Sequence, residues 1–183
     1  MSTYETMRRR LDNCPPGAVG WRRFEDVCTE ALTALFVPPL QPPKIQARTY
    51  SGVDRRDAVF PNRNSNGNGA TSNKWGFLMQ ELNARMVLFE FKNYDADDIG
   101  TEEVLRTHSY LSRPMGRLAI LIGTKLPNSS AHVKRNTIYS TDGTVILFLT
   151  TSHLKEMLYM KERGEDPADL IIDAVEEFYL QHE

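Results

Sequence analysis

Residues 86–94, MVLFEFKNY, restrict the fold more than any other stretch of the chain. They form a run of strongly β-prone residues, which predicts a central strand. On a strand alternate side chains share a face, so Leu88, Glu90 and Lys92 project one way while Val87, Phe89 and Phe91 project the other. Two charges therefore interrupt an otherwise apolar strand. Burying a carboxylate and an ammonium costs several kcal/mol unless they are paired or bind a cation. A carboxylate on a rigid strand, with an amine two residues on, can bind a divalent cation while the amine orients an attacking water. The plain alternative is an edge-strand ion pair with no chemistry.

The rest of the chain supplies partners for this strand. Residues 1–16 predict a short arm that stops at Pro15-Pro16-Gly17, and residues 17–183 predict one domain. Between 19 and 36, Trp21, Phe24, Cys28, Ala31 and Leu35 recur at helical steps, giving an amphipathic helix. Pro38, Pro39, Pro42 and Pro43 then enforce an extended connection, followed by strands over 45–51 and 55–62 that predict an antiparallel hairpin. Residues 62–73 are polar and rich in Asn and Gly, which predicts a flexible excursion, and Trp75, Leu78, Met79 and Leu82 predict a short helix. Downstream, helices over 100–111 and 129–139 alternate with apolar strands over 117–124 and 144–150, the pattern of parallel strands with crossovers. Two helices, 152–163 and 167–181, close the chain, the second capped by Asp166 with Pro167 at its first position. The sum is an α/β fold, a mixed sheet flanked by helices on both faces.

Composition narrows the function. No apolar run approaches the roughly 18 residues of a membrane span, and the first residues lack the apolar stretch of a secretory signal, so a soluble, cytoplasmic protein is expected. The two cysteines, Cys14 and Cys28, and the scattered histidines have no zinc-site spacing. The net charge of −2 hides an uneven distribution: residues 1–94 hold thirteen Lys and Arg against nine Asp and Glu, and residues 95–183 hold nine against fifteen. The basic half contains the Glu90-Phe91-Lys92 strand, and a local positive surface is what a polyanion needs.

Asp57, within the β-prone DAVF stretch of the preceding strand, is placed to approach Glu90 as a second hard oxygen ligand, suited to magnesium. Asp54, in the Gly52-Val53-Asp54 turn, is the rival; as a plain alternative, Asp57 pairs with Arg55 or Arg56.

Together these motifs resemble the PD-(D/E)xK nuclease superfamily, the restriction-endonuclease-like fold, and within it the Mrr-type restriction endonucleases. The resemblance covers residues 17–150: a helix carrying Gly20-Trp21-x-x-Phe24-Glu25, a hairpin with Asp57, the strand ending Glu90-Phe91-Lys92, then a helix and two strands. Arg56 stands where a proline often precedes the family's aspartate, and the Asn/Gly-rich excursion lengthens the interval to Glu90.

The resemblance implies that Asp57 and Glu90, with the backbone carbonyl of Phe91, bind Mg²⁺ or Mn²⁺. It implies further that Lys92 assists the water and that Glu25 completes the catalytic set; the plain reading of Glu25 is a solvated helix residue. Arg48, Arg55, Arg56 and Arg63 are the expected nucleic-acid contacts. The implied activity is phosphodiester hydrolysis of DNA, with RNA left open, and a role against foreign DNA. So little chain remains for recognition that specificity is expected to come from a second copy or a partner subunit. The alternative, from another class, is a catalytically inactive module of the same fold that binds nucleic acid or serves in an assembly.

Overall fold

The β-prone runs and amphipathic helices assemble into three layers in the computed structural model, which describes residues 2–50, 52, 55–64 and 74–182. Five strands form one sheet, in chain order from edge to edge: β1 (Lys44–Arg48), β2 (Arg55–Pro61), β3 (Met86–Lys92), β4 (Leu118–Gly123) and β5 (Val145–Thr150). β1 with β2 and β2 with β3 are antiparallel, whereas β3 with β4 and β4 with β5 are parallel. β3 is therefore the central strand and the line at which antiparallel pairing gives way to parallel, β2 alone running against the other four. The mixed sheet, the hairpin and the two parallel crossovers all follow the sequence expectation.

Parallel neighbours require crossovers, and here both run over the same face. They are α4 (Thr101–Tyr110) and α5 (Ser129–Asp142), which bury Leu88, Val104, Ala119, Ala131, Ile138 and Ile146 in a small core. The opposite face carries α2 (Trp21–Phe36), α3 (Lys74–Leu82), α6 (Thr151–Glu162) and α7 (Ala168–Gln181), with Phe24, Phe60, Trp75, Phe89 and Phe178 in the main core. β3 feeds both cores by strand alternation: Val87, Phe89 and Phe91 enter the larger and Leu88 the smaller.

Two helix starts show how local chemistry sets the frame. α2 begins at Trp21, later than residue 19, because Gly17–Val19 forms a 3-10 turn that places Gly20 against the preceding loop. A Cβ on Gly20 would lie 1.7 Å from the carbonyl oxygen of Pro15, so no side chain fits there. α7 starts as expected: Asp166 Oδ1 accepts from the Ala168 N–H at 2.9 Å, and Pro167 already has helical dihedrals.

The arm set apart as residues 1–16 is packed onto the domain. Ser2 caps α1 (Thr3–Asp12), and Met7 and Leu11 join the main core, each side chain worth roughly 1.5–3 kcal/mol when fully buried. Arg8 lies 3.8 Å over the Tyr159 ring and pairs with Glu162 at 2.7 Å, while Lys155 reaches Asp12 at 2.7 Å, fastening α1 to α6. The prolines that mark the end of this segment only redirect the chain.

Asp54 and most of the Asn/Gly-rich excursion, residues 65–73, lie outside the described residues. Among the described residues no helix is long and apolar enough to cross a membrane.

Candidate active site

The ladder between β2 and β3 runs from Pro61 opposite Met86 to Ala58 opposite Phe89, one pair short of Asp57 and Glu90. Side chains take over at that point. Asp57 Oδ2 accepts from the Phe91 N–H at 2.9 Å, and Glu90 Oε1 accepts from the Asp57 N–H at 3.3 Å. Both acids are buried, at 8% and 2% exposure. Lys92 Nζ stands 3.9 Å from Glu90 Oε2, so the charge alternation read from the sequence brings these two together.

The hairpin turns over where Asp57 enters. Ala58 packs in the main core, yet Arg56, two residues earlier, sends its Nε–H to the Tyr110 carbonyl at 2.8 Å on the other side of the sheet. On β1, Ile45 faces Ala58 and Ala47 faces Arg56, and between them Gln46 adopts φ +50. That left-handed conformation costs a non-glycine residue roughly 1–2 kcal/mol. Strain of this kind persists only where surrounding structure holds it, and it collects at functional sites.

Glu25 on α2 joins the cluster from the main-core side, with its Oε1 3.7 Å from Arg55. Burial chiefly, and then the charge of Asp57, push its carboxyl up to about 7 against the pull of Arg55 and a hydrogen bond from Gln46. Glu90 is raised to about 8 by burial first and Asp57 second, with Lys92 opposing. Three carboxyl groups thus crowd one corner; burial is the main cause of both rises, and the charge of Asp57 adds more to each than Arg55 or Lys92 takes away.

Among the described residues no three or more His, Cys, Asp and Glu side chains are arranged to enclose a metal ion. The donor set at the fork is smaller: the free oxygens of Asp57 and Glu90, with Glu25 nearby but engaged by Arg55. Such a set suits Mg²⁺, which keeps several waters and takes only one or two protein carboxylates. Phe91, whose carbonyl the resemblance assigns to the metal, is held at the fork by its N–H, which donates to Asp57.

The four arginines do not form one patch. Arg48 is exposed and faces Arg55 across the hairpin. Arg55 lies over the Trp21 ring at 5.7 Å and pairs with Glu25, whereas Arg56 is tied to Tyr110 on the opposite face. Arg63 lies beyond the far end of β2, six residues from Asp57, which at about 3.3 Å per residue is on the order of 20 Å away.

Residues that follow the motif carry structure missed in the sequence. Asn93, 7% exposed, donates from Nδ2 to the carbonyls of Pro15 at 2.9 Å and Gly17 at 3.2 Å, pinning the end of β3 to the turn before α2. Tyr94 donates its N–H to Thr124 Oγ1 at 3.1 Å and its hydroxyl to Glu103 at 2.9 Å, which ties it to α4 and the end of β4. The only signal was their position, immediately after Lys92. Arg106 pairs with Glu102 on the surface of α4. A cavity of about 570 Å³ opens beside Lys92 and Glu25, walled by Trp21, Phe91, Asn93 and Tyr94.

No known protein-family profile matches the chain. No solved structure matches it either. Among curated proteins it is similar to one from Escherichia coli (strain K12) described as "Putative transposon gamma-delta 80.3 kDa protein", at 27% identity over 165 residues. That match takes in 88% of this chain and 22% of the other, so the chain spans about a fifth of the length of this relative.

Proposed function

We propose that this chain is a metal-dependent nuclease that hydrolyses phosphodiester bonds in DNA, with a restriction-endonuclease-like arrangement of its sheet. The observation that carries the reading is the meeting of Asp57 and Glu90 at the fork of β2 and β3, with Lys92 beside Glu90. Two buried acids where antiparallel pairing gives way to parallel, backed by an amine, are costly to a fold and useful to phosphoryl chemistry. The similarity to a protein described by a transposon, a DNA element, supports DNA as the substrate class.

In this reading Asp57 and Glu90 hold Mg²⁺ or Mn²⁺, which when bound neutralises charge that develops on the phosphate. Lys92 orients the attacking water by donating a hydrogen bond to its oxygen as the nucleophile advances. Glu25, with a pKa near neutrality, exchanges a proton with solvent on the α2 side. Arg48 and Arg55 face the backbone from the hairpin. The protein works in the cytoplasm against foreign DNA, with a second copy or a partner subunit supplying specificity.

Incubation of the chain with circular and linear DNA, with and without Mg²⁺, tests this. Cleavage that needs the ion and is lost in Glu90→Ala supports the proposal; unchanged cleavage by Glu90→Ala, or none with either Mg²⁺ or Mn²⁺, overturns it.

One observation favours a second reading, a catalytically inactive module. Asp57 and Glu90 each already satisfy a backbone N–H, which is a structural use for both acids. In that case Mg²⁺ gives no stabilisation of the fold while DNA still binds.

A further inference from the structure

Arg135 on α5 is 8% exposed, and among the described residues it makes neither a hydrogen bond nor an ion pair. Its guanidinium is held between two rings, 4.6 Å from the centre of Phe148 and 4.9 Å from that of Phe178. Nε is buried without a partner. Burying a cation costs several kcal/mol, of which the ring contacts return only about 1–2 kcal/mol each, and the one carboxylate whose charge reaches it, the exposed Glu177, forms no ion pair or hydrogen bond with it.

The guanidinium lines a cleft of about 260 Å³ between α5 and α7, at the outer edge of β5 and away from Asp57 and Glu90. One end is closed where Tyr139 packs on Phe178 and His182. Towards the other end are His132 and His153. His153 Nδ1 accepts from the Thr150 N–H at 3.0 Å, which leaves Nε2 as a donor. Leu126, 73% exposed, and Leu170 add apolar wall. Two carboxylates stand on the α7 rim, Asp173 and Glu177, both exposed, and Glu177 Oε1 is taken by Gln181 at 2.8 Å.

We propose that this cleft is a second binding site, for a small oxyanion carried on a flat apolar body. The oxyanion meets Arg135 and His153, and the body lies against Phe148 and Phe178. A guanidinium offers a planar fork of donors that matches carboxylate and phosphate alike, so the shared chemistry is the anionic oxygen pair. The volume admits a single ring with its charged group and excludes an extended peptide. This site stands independently of the nuclease reading.

The test is thermal unfolding of the full chain with benzoate, phenyl phosphate or inorganic phosphate at constant ionic strength. Benzoate or phenyl phosphate is expected to raise Tm in a saturable way, more than inorganic phosphate does, and the benzoate and phenyl phosphate arms separate a carboxylate source from a phosphate one. Arg135→Gln should weaken that response at least tenfold. Ala174→Leu, which narrows the cleft from α7 and leaves Arg135 in place, should do the same and serves if Arg135→Gln fails to fold. Glu177→Gln should tighten binding, because it removes a like charge from the rim. The proposal is overturned by the absence of a saturable response, by an equal response to inorganic phosphate, or by undiminished binding in Ala174→Leu. It is also overturned if Glu177→Gln destabilises the free protein, for then Glu177 is the partner of Arg135.

Discussion

Asp57 and Glu90 each bind the backbone of the strand opposite: the Asp57 carboxylate holds the Phe91 N–H, and the Glu90 carboxylate holds the Asp57 N–H. Neither acid can move without releasing a buried backbone donor, which costs about 1–3 kcal/mol. The pair is therefore preorganised by the same bonds that end the ladder.

Glu90 makes the metal-free fold sensitive to base. Its folded pKa, about 8, is raised above the ordinary carboxyl value of 4.5, so its contribution is fully present below that ordinary value and is lost as pH rises through 8. Glu90→Gln keeps the acceptor for Asp57 and removes the charge. At pH 9 without metal the variant should melt several degrees above the parent, on the order of 2 kcal/mol, with little difference at pH 5. Calorimetry at the two pH values decides it; a variant that melts lower at pH 9 refutes the argument.

Lys92→Met should reduce DNA cleavage by about 100-fold or more while the fold persists. It also removes the cation that opposes the rise of the Glu90 pKa. Stability should therefore drop above pH 8 and stay unchanged at pH 5. Parallel cleavage assays and melting curves check both halves, and a variant with full cleavage removes Lys92 from the mechanism.

Gly20→Ala should be among the most damaging small substitutions, because its Cβ meets the Pro15 carbonyl. A backbone collision has no side chain to give way, and the expected loss is about 2–4 kcal/mol. Gly164, with φ +79 and open space within 4 Å of where a Cβ would stand, is the control. Gly164→Ala should cost only about 1 kcal/mol, from the dihedral alone. Urea midpoints measured for both variants give the ratio.

Asn93→Ala should loosen the turn before α2 as well as lower stability by about 1–3 kcal/mol, since two carbonyls lose their donor. Hydrogen exchange should show faster opening of the first turn of α2 with β3 still protected. Equal exchange in the variant would mean that the anchor is redundant.

Arg48→Ala should weaken DNA binding and reduce the dependence of log affinity on log salt by about one ion. Arg63→Ala should leave both unchanged, because it lies at the other end of β2. Titrations at three salt concentrations separate the two, and an equal effect of both would place the DNA along the whole strand.

The order of the elements was legible because each strand and helix carries its own period, from the 3 and 4 steps of α2 to the apolar runs of β4 and β5. Glu90 with Lys92 was legible for the same reason, as two charges on one face of an apolar strand. Asp57 depended on a register between β2 and β3 that local sequence does not encode, and the turn-over at Gln46 has no signal in a residue type that rarely takes positive φ. The packing of α1 was hidden behind Pro15 and Pro16, which read as a boundary although Met7 and Leu11 contact the main core. The divergence of Arg55 and Arg56 likewise follows from strand geometry and not from their adjacency in the chain.

The fastening of α1 to α6 sets an order on synthesis. Arg8 and Asp12 emerge from the ribosome about 140 residues before Tyr159, Glu162 and Lys155, their partners. At about 5–20 residues per second, α1 waits roughly 7–30 s for its α6 partners, with α2 alone to pack against Met7 and Leu11 in the meantime. A nascent chain held short of α6 should thus bind chaperones at the α6-facing side of α1, and release should coincide with the arrival of α6.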